Sequence, residues 1–239
     1  MSVAVENLYQ SLPAKFKSSS SVKYPNYDKL RIDLPFRMLI VGSSGSGKTN
    51  ALLNLIKHIG AFDRIYLYAK NLTEPLYRYL VEICKQVEKK IGSEVLTMST
   101  DVADMPAVDS FDPKKNNLVI FDDQVAEAVS KQKAISELFI RGRKSNISAV
   151  YLSQSYFATP QLIRKNVDYI MLKKINTIKD LKRIVSEYNL GDATPEQLMA
   201  LYKAIVAKGM NNWLLIDLNA QNPAFKYRFN YKPISIEGK

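Results

Sequence analysis

The sequence is short of cysteine, histidine and acidic residues, and each shortage excludes something. Its one cysteine, Cys84, rules out an intrachain disulfide and points to a reducing compartment. Cys84 lies among Leu80, Val81, Ile83 and Val87, a helical stretch where a small buried apolar side chain is expected rather than a reactive thiol. The only histidine, His58, has no metal-ligand cluster or nucleophile near it in sequence; its expected role is a cation in the last turn of a helix. No run approaches the ~20 apolar residues needed to cross a bilayer, and the N-terminus lacks a signal-peptide core. The expectation is a soluble, intracellular protein with no membrane partner. Acids number 23 against 34 Lys and Arg, and the resulting net charge of +11 points to a polyanionic partner, nucleic acid first.

What is present suits one α/β domain with small appendages: 239 residues are enough to bury a proper core. The organising stretch is Gly42–Thr49, GSSGSGKT, which fits the spacing Gly, any four, Gly-Lys-Ser/Thr. It sits between a short apolar strand, Phe36–Val41, and an amphipathic helix, residues 48–59, stopped by Gly60. Glycines let the backbone wrap an anion, so its N–H groups point at phosphate oxygens. The expected nucleotide-binding set is Gly42, Ser43, Ser44, Gly45, Ser46, Gly47, Lys48, Thr49 and Asn50. Lys48 can reach the β- and γ-phosphates of ATP, and the Thr49 hydroxyl can ligate Mg²⁺.

Downstream, Leu118-Val119-Ile120-Phe121 reads as a strand buried on both faces, followed by Asp122 and Asp123 at its C-terminal end. Ligands of parallel sheets bind at that end. Asp122 is therefore the expected Mg²⁺ partner of Thr49, and Asp123 can orient or deprotonate the attacking water. A second buried strand, Ala149–Leu152, ends in Ser153-Gln154-Ser155, so Gln154 reaches the same edge and can sense the γ-phosphate.

The remaining elements follow from period and punctuation. Strands are expected at Leu30–Leu34, Arg64–Ala69, Val95–Met98, Tyr169–Leu172 and Trp213–Leu218, with a long loop over Ser99–Asn117. Helices are expected from Thr73 and Pro75 to about Lys90, over Ala134–Arg143, and after Thr159 as N-cap with Pro160 at the first position. A further helix turns Ile178, Leu181, Val185 and Tyr188 inward and stops at Gly191; the next opens with a capping box at Thr194–Gln197. Lys173, Lys174, Lys179, Lys182 and Arg183 gather round the first of these, a basic face suited to tracking phosphates. In the tail, Phe225, Tyr227, Phe229 and Tyr231 alternate with Lys226, Arg228 and Lys232, the pattern of an edge or intersubunit strand, or of a surface that stacks single-stranded DNA. The expected division is an N-terminal arm or docking segment, 1–35, an ATPase domain, 36–218, and a C-terminal strand or tail, 219–239.

Taken together, GSSGSGKT, LVIFDD, FIRGRKSNISAVYLSQS and ATPQLIRKNVDYIMLK resemble the FtsK–HerA superfamily of DNA-pumping ATPases. More narrowly the chain is similar, over roughly residues 36–218, to the genome-packaging ATPases of large DNA viruses, virophages and related transposon-like viruses. Many relatives carry Asp-Glu where this chain has Asp122-Asp123. The resemblance implies an α/β fold with a RecA-like P-loop core, a hexameric ring, and double-stranded viral DNA moved through it by Mg²⁺-dependent ATP hydrolysis. It makes Lys48 and Thr49 nucleotide ligands, Asp122 the metal partner, Asp123 the catalytic carboxylate and Gln154 the sensor. A guanidinium from a neighbouring subunit can then stabilise the transferring phosphate, with Arg141 and Arg143 as candidates and Arg143 favoured. Such a motor implies a host cytoplasm or viral-factory location, with association with the virion and a capsid vertex protein as further expectations. Two other readings stay open: a small P-loop nucleotide kinase, for which no arginine-rich lid is evident, and a DNA-binding scaffold with a non-hydrolysing site, against which the intact Lys48, Thr49 and Asp122 argue.

Overall fold

Period-two burial along its strands sets the architecture of the chain, which in the computed structural model is described over residues 23–188 and 193–236. The expected arm before residue 23 and the stop at Gly191 lie outside the described residues. Strand β1 (Arg37–Val41) leads into the glycine-rich loop and helix α2 (Lys48–Ile59), after a one-turn helix α1 (Tyr27–Leu30). Then come β2 (Arg64–Ala69), α3 (Pro75–Ile91), β3 (Leu96–Ser99), β4 (Asn117–Asp122), α4 (Val129–Arg141) and β5 (Ile147–Ser153). The chain continues through α5 (Gln161–Lys165), β6 (Tyr169–Leu172), α6 (Ile178–Tyr188), α7 (Pro195–Val206), β7 (Leu214–Asp217), β8 (Tyr227–Phe229) and β9 (Lys232–Pro233).

Among the described residues these strands form one nine-stranded sheet in the order β3-β2-β4-β5-β1-β6-β7-β8-β9. It is parallel from β3 to β6 and antiparallel from β7 onward. The protein is thus an α/β fold with a mainly parallel sheet between helical layers. Met38, Ile40, Leu118, Ile120, Val150 and Leu152 face α2 and α3, whereas Leu39, Val41, Val119, Phe121, Ala149 and Tyr151 face α4, α6 and α7. Successive residues of one strand enter opposite cores, which is why these strands are apolar throughout. Helix α3 buries Tyr77, Leu80 and Cys84 on one stripe, and burial pushes the Cys84 thiol up to about 11, so it is inert at neutral pH. Gly60 ends α2 at φ 58°, its N–H bonding the Ile56 carbonyl. No helix of the described residues is long and apolar enough to cross a membrane.

Several local expectations are corrected. Leu30–Leu34 is not a strand: Leu30 closes α1 and Arg31 takes φ 48°, although Leu30, Ile32 and Leu34 are buried alternately. Side chains satisfy the backbone here, because Arg228 donates to the Leu30 and Arg31 carbonyls (2.6 and 3.0 Å) and the Tyr24 hydroxyl to that of Ile32 (3.0 Å). Thr159 does not cap α5, whose N-cap is Pro160; its hydroxyl turns back to the Ser155 carbonyl at 3.0 Å. Ile178, the first residue of α6, is 54% exposed, and the inward stripe is Leu181, Ile184, Val185 and Tyr188. In the tail the bases do not all face outward: Tyr227 and Arg228 are both buried, and the Arg228 guanidinium pairs with Asp217 at 2.5 Å. The capping box at Thr194 and Gln197 is formed as expected.

Candidate nucleotide site

The glycine-rich loop leaves the C-terminal end of β1, where β5 pairs on one side and β6 on the other. Loop geometry is fixed by the backbone. Gly42 N–H donates to the Ser153 carbonyl (3.1 Å), Ser43 N–H to the Lys174 carbonyl (2.9 Å) and Asn176 N–H to the Ser43 hydroxyl (2.9 Å). Gly45 and Gly47 stand at φ 70° and 81°, values that side chains rarely adopt, and a Cβ on Gly42 would come within 2.5 Å of the Ser46 hydroxyl and the Lys173 Cβ. Lys48 folds over the loop, its Nζ donating to the Gly42 and Ser43 carbonyls at 2.9 and 3.3 Å. The Ser46 hydroxyl is buried with no protein partner. Ser44, Gly45 and half-buried Asn50 complete the rim.

The acids approach from the neighbouring strands. Asp122 closes β4 and accepts a 2.6 Å hydrogen bond from the hydroxyl of the fully buried Tyr77. The Thr49 hydroxyl donates to Glu74 Oε2 at 3.2 Å. Burial pushes the Lys48 ammonium down from its ordinary range, opposed by Asp122, Asp123 and Glu74; burial likewise raises the carboxyls of Asp122 and Glu74. Asp123 follows in the left-handed region at φ 55°, its N–H on the Leu152 carbonyl at 3.4 Å. The orphaned Ser46 hydroxyl and the positive-φ turn at Gly45 and Gly47 fit an anion in the loop. The hard oxygens of Thr49 and Asp122 fit Mg²⁺ brought with a nucleotide.

Other expected residues stand further off. Gln154 is exposed just past β5, on the same sheet edge as the loop. Arg141 and Arg143 are at the opposite edge, before β5 begins. Arg141 is engaged, pairing with Asp109 at 2.8 Å and with Glu137. Arg143 is exposed on the rim of a cavity that Arg37 and Asp168 also line, and among the described residues it has no ion pair or hydrogen bond from its side chain.

Sequence reasoning missed Glu74, Tyr77 and Lys173. Lys173 was expected on a basic surface, but it is fully buried and separate from exposed Lys174, Lys179, Lys182 and Arg183. Its ammonium donates to the Met210 carbonyl, lies 5.2 Å from the Trp213 ring centroid, and would be 3.6 Å from a Cβ on Gly47. The available signal was a lysine directly after the apolar strand YIML, beside β1. Burial lowers the Lys173 pKa from 10.5 to about 8. Below pH 8 both folded and unfolded chains hold this proton and the burial penalty is full; between 8 and 10.5 only the unfolded chain holds it, so this group's contribution to stability rises with pH. Lys173→Met is therefore expected to stabilise the protein by roughly 2 kcal/mol at pH 7, allowing for the lost Met210 bond, with the advantage shrinking toward pH 10. Urea unfolding at both pH values checks this; a pH-independent difference contradicts it.

Comparison with known proteins matches residues 22–216 to the Poxvirus A32 protein family. Over 143 residues the chain is 28% identical to the DNA packaging protein OPG160 of Variola virus, a match covering 58% of this chain and 53% of that protein, and the vaccinia virus (strain Copenhagen) protein matches equally. The chain spans about half the length of these curated relatives. Its fold is similar to that of the genome packaging NTPase B204 from Sulfolobus turreted icosahedral virus 2 in complex with sulfate, with TM-score 0.56, 18% identity, and coverage of 85% of this chain and 99% of that one. The DNA-packaging ATPase B204 from Sulfolobus Turreted Icosahedral Virus aligns with TM-score 0.54 at 17% identity, covering 85% and 100% of the two chains. On the match over residues 22–216, the chain belongs to the poxvirus A32 protein family.

Proposed function

We propose that this chain is an ATP-driven motor that moves double-stranded viral DNA into a capsid, hydrolysing ATP with Mg²⁺ at sites shared between neighbouring copies of a ring, six in number. The observation that carries the reading is the meeting of the phosphate loop, Lys48, Thr49 and Asp122 at the C-terminal ends of β1 and β4. Relatives that are DNA packaging proteins support it. The working unit is residues 36–218, with 1–35 as an arm and 219–239 as a tail, and the place of action is the host cytoplasm or viral factory.

In this mechanism the loop N–H groups and Lys48 hold the β- and γ-phosphates in a fixed pose, which removes orientational freedom before reaction. Thr49 and Asp122 would hold Mg²⁺, which neutralises charge on the phosphate oxygens. Asp122 is already oriented by Tyr77, and a carboxylate at this rim positions water. Gln154 senses the γ-phosphate, and Arg143 completes the site of the adjacent copy.

DNA is assigned to the exposed face of α6. Lys179 and Arg183 flank the ring of Phe157, 44% exposed, at 5.6 and 5.8 Å from its centroid, and Lys182 lies alongside. Arg183 is partly neutralised by Glu187, so Lys179 and Lys182 are the freer charges. The Lys179→Ala/Lys182→Ala pair is expected to weaken duplex binding whatever the base sequence and to lower the salt slope by about 2, with ATPase in the absence of DNA unchanged. An unchanged slope removes this face from the DNA path. For the motor itself the test is oligomer mass with and without nucleotide and duplex DNA, coupled to ATPase rate. A DNA-stimulated, oligomeric hydrolase supports the reading. A monomer indifferent to DNA overturns it, phosphate transfer to a nucleotide acceptor would make the chain a kinase, and nucleotide binding that survives Lys48→Ala would favour the scaffold.

A further inference from the structure

We propose that Glu74, rather than Asp123, is the carboxylate that orients the water attacking the γ-phosphate. The inference rests on the ATPase reading above and concerns how that site is finished. Glu74 stands at the N-cap of α3, just beyond β2, and β2 is the strand paired with β4, with Ala69 opposite Asp122. It therefore reaches the rim that carries Asp122 from the adjacent strand. Its Oε2 takes the Thr49 hydroxyl at 3.2 Å, its charge is felt by Lys48, it feels that of Asp122, and its side chain is half-buried.

The two carboxylates differ in how they are held. A group that aims a water must itself be fixed, since a misplacement of about 1 Å can cost 10²-fold in rate. Glu74 is anchored at both ends, by the start of a 17-residue helix and by the Thr49 hydroxyl. Asp123 is one methylene shorter, lies past the end of β4 in a left-handed turn, and its carboxylate makes no hydrogen bond among the described residues. The hydroxyl held by Glu74 is also the one assigned to the cation. Its oxygen lone pair can meet the cation while its proton stays on Glu74 Oε2, so loading leaves Glu74 anchored and its other carboxylate oxygen available to a water.

In the step itself, the water oxygen forms a bond to the γ-phosphorus while the bond to the β–γ bridging oxygen breaks. The electron pair leaves on ADP, and the water's protons end on the released phosphate and in solvent. Glu74 accepts a hydrogen bond from the water and is unchanged at the end.

The experiment compares the full wild-type chain with Glu74→Gln and Asp123→Asn. It measures single-turnover ATP hydrolysis with Mg²⁺ and duplex DNA, and the affinity of a fluorescent ATP analogue with and without Mg²⁺. Glutamine can still accept the Thr49 hydrogen bond, so Glu74→Gln is expected to fold, to bind the analogue within about twofold of wild type in both conditions, and to hydrolyse roughly 10²-fold more slowly. Asp123→Asn is expected to keep at least about a tenth of the wild-type rate, a loss smaller than the 10²–10⁴-fold typical of a lost acid–base group. The proposal is overturned if Glu74→Gln hydrolyses within about threefold of wild type, or if it loses the Mg²⁺-dependent part of its nucleotide affinity, which would make Glu74 a metal holder. If the wild-type chain hydrolyses no ATP, the ATPase reading fails and this assignment falls with it; hydrolysis by wild type with Glu74→Gln within about threefold of it rejects Glu74 alone.

Discussion

Replacing Arg143 by alanine is expected to leave ATP affinity intact and to slow hydrolysis by about 10³-fold, the lower end of the range for arginines supplied in trans. Mixed into a wild-type population, the variant is expected to depress its partners as well. Arg143 precedes β5, and the phosphate loop follows β1 at the other end of the same sheet, so the two do not meet within one copy. Its guanidinium makes no ion pair among the described residues, and an uncommitted charge is what a site in another chain requires. Arg141 is held by Asp109 and Glu137, and Arg141→Ala should be the milder change. The measurement is ATPase rate against the fraction of variant in a mixed ring. A fall steeper than the straight line between the two pure activities supports action in trans, and a straight line excludes it.

The largest effect on stability is expected at Arg228. This side chain is 1% exposed and holds three carbonyls, those of Phe225, Leu30 and Arg31, besides the Asp217 carboxylate. Removing one member of a buried pair leaves the other charged without compensation, at a cost of about 3–5 kcal/mol. Arg228→Met should lose that much in urea unfolding, and adding Asp217→Leu should restore part of it, because paired apolar replacements are often neutral. Recovery stays incomplete since the Leu30 and Arg31 carbonyls remain unmet. A loss under about 1 kcal/mol for Arg228→Met would show that the pair contributes little.

What could be read from the sequence, and what could not, follows from how far each signal extends along the chain. GSSGSGKT carries its own context: a strand, a positive-φ turn and a helix are adjacent in sequence, and the structure forms all three. LVIFD likewise declares a strand buried on both faces. Glu74 carried no such mark, because Thr73-Glu74-Pro75 reads as the opening of a helix, and only the pairing of β2 with β4 brings it to Thr49. Lys173 and Arg228 were misjudged for a related reason. Charge predicts exposure unless a partner is known, and their partners, the Met210 carbonyl and the Leu30 and Arg31 carbonyls, lie far away in sequence. Leu30–Leu34 shows the converse, since burial with period two reports which side chains point inward and leaves open what the backbone bonds to.

Strand β5 has a consequence that reaches past one copy. Arg143 stands just before it and Gln154 just after it, and its seven residues, wholly buried between β4 and β1, span roughly 20 Å as an inextensible rod. In the proposed ring the residue offered to the bound nucleotide and the arginine offered to a neighbour would therefore sit at the two ends of one stiff element. Any movement of one end relative to the other would have to carry the paired strands β4 and β1 with it, so β5 holds the spacing of the two residues constant within a copy.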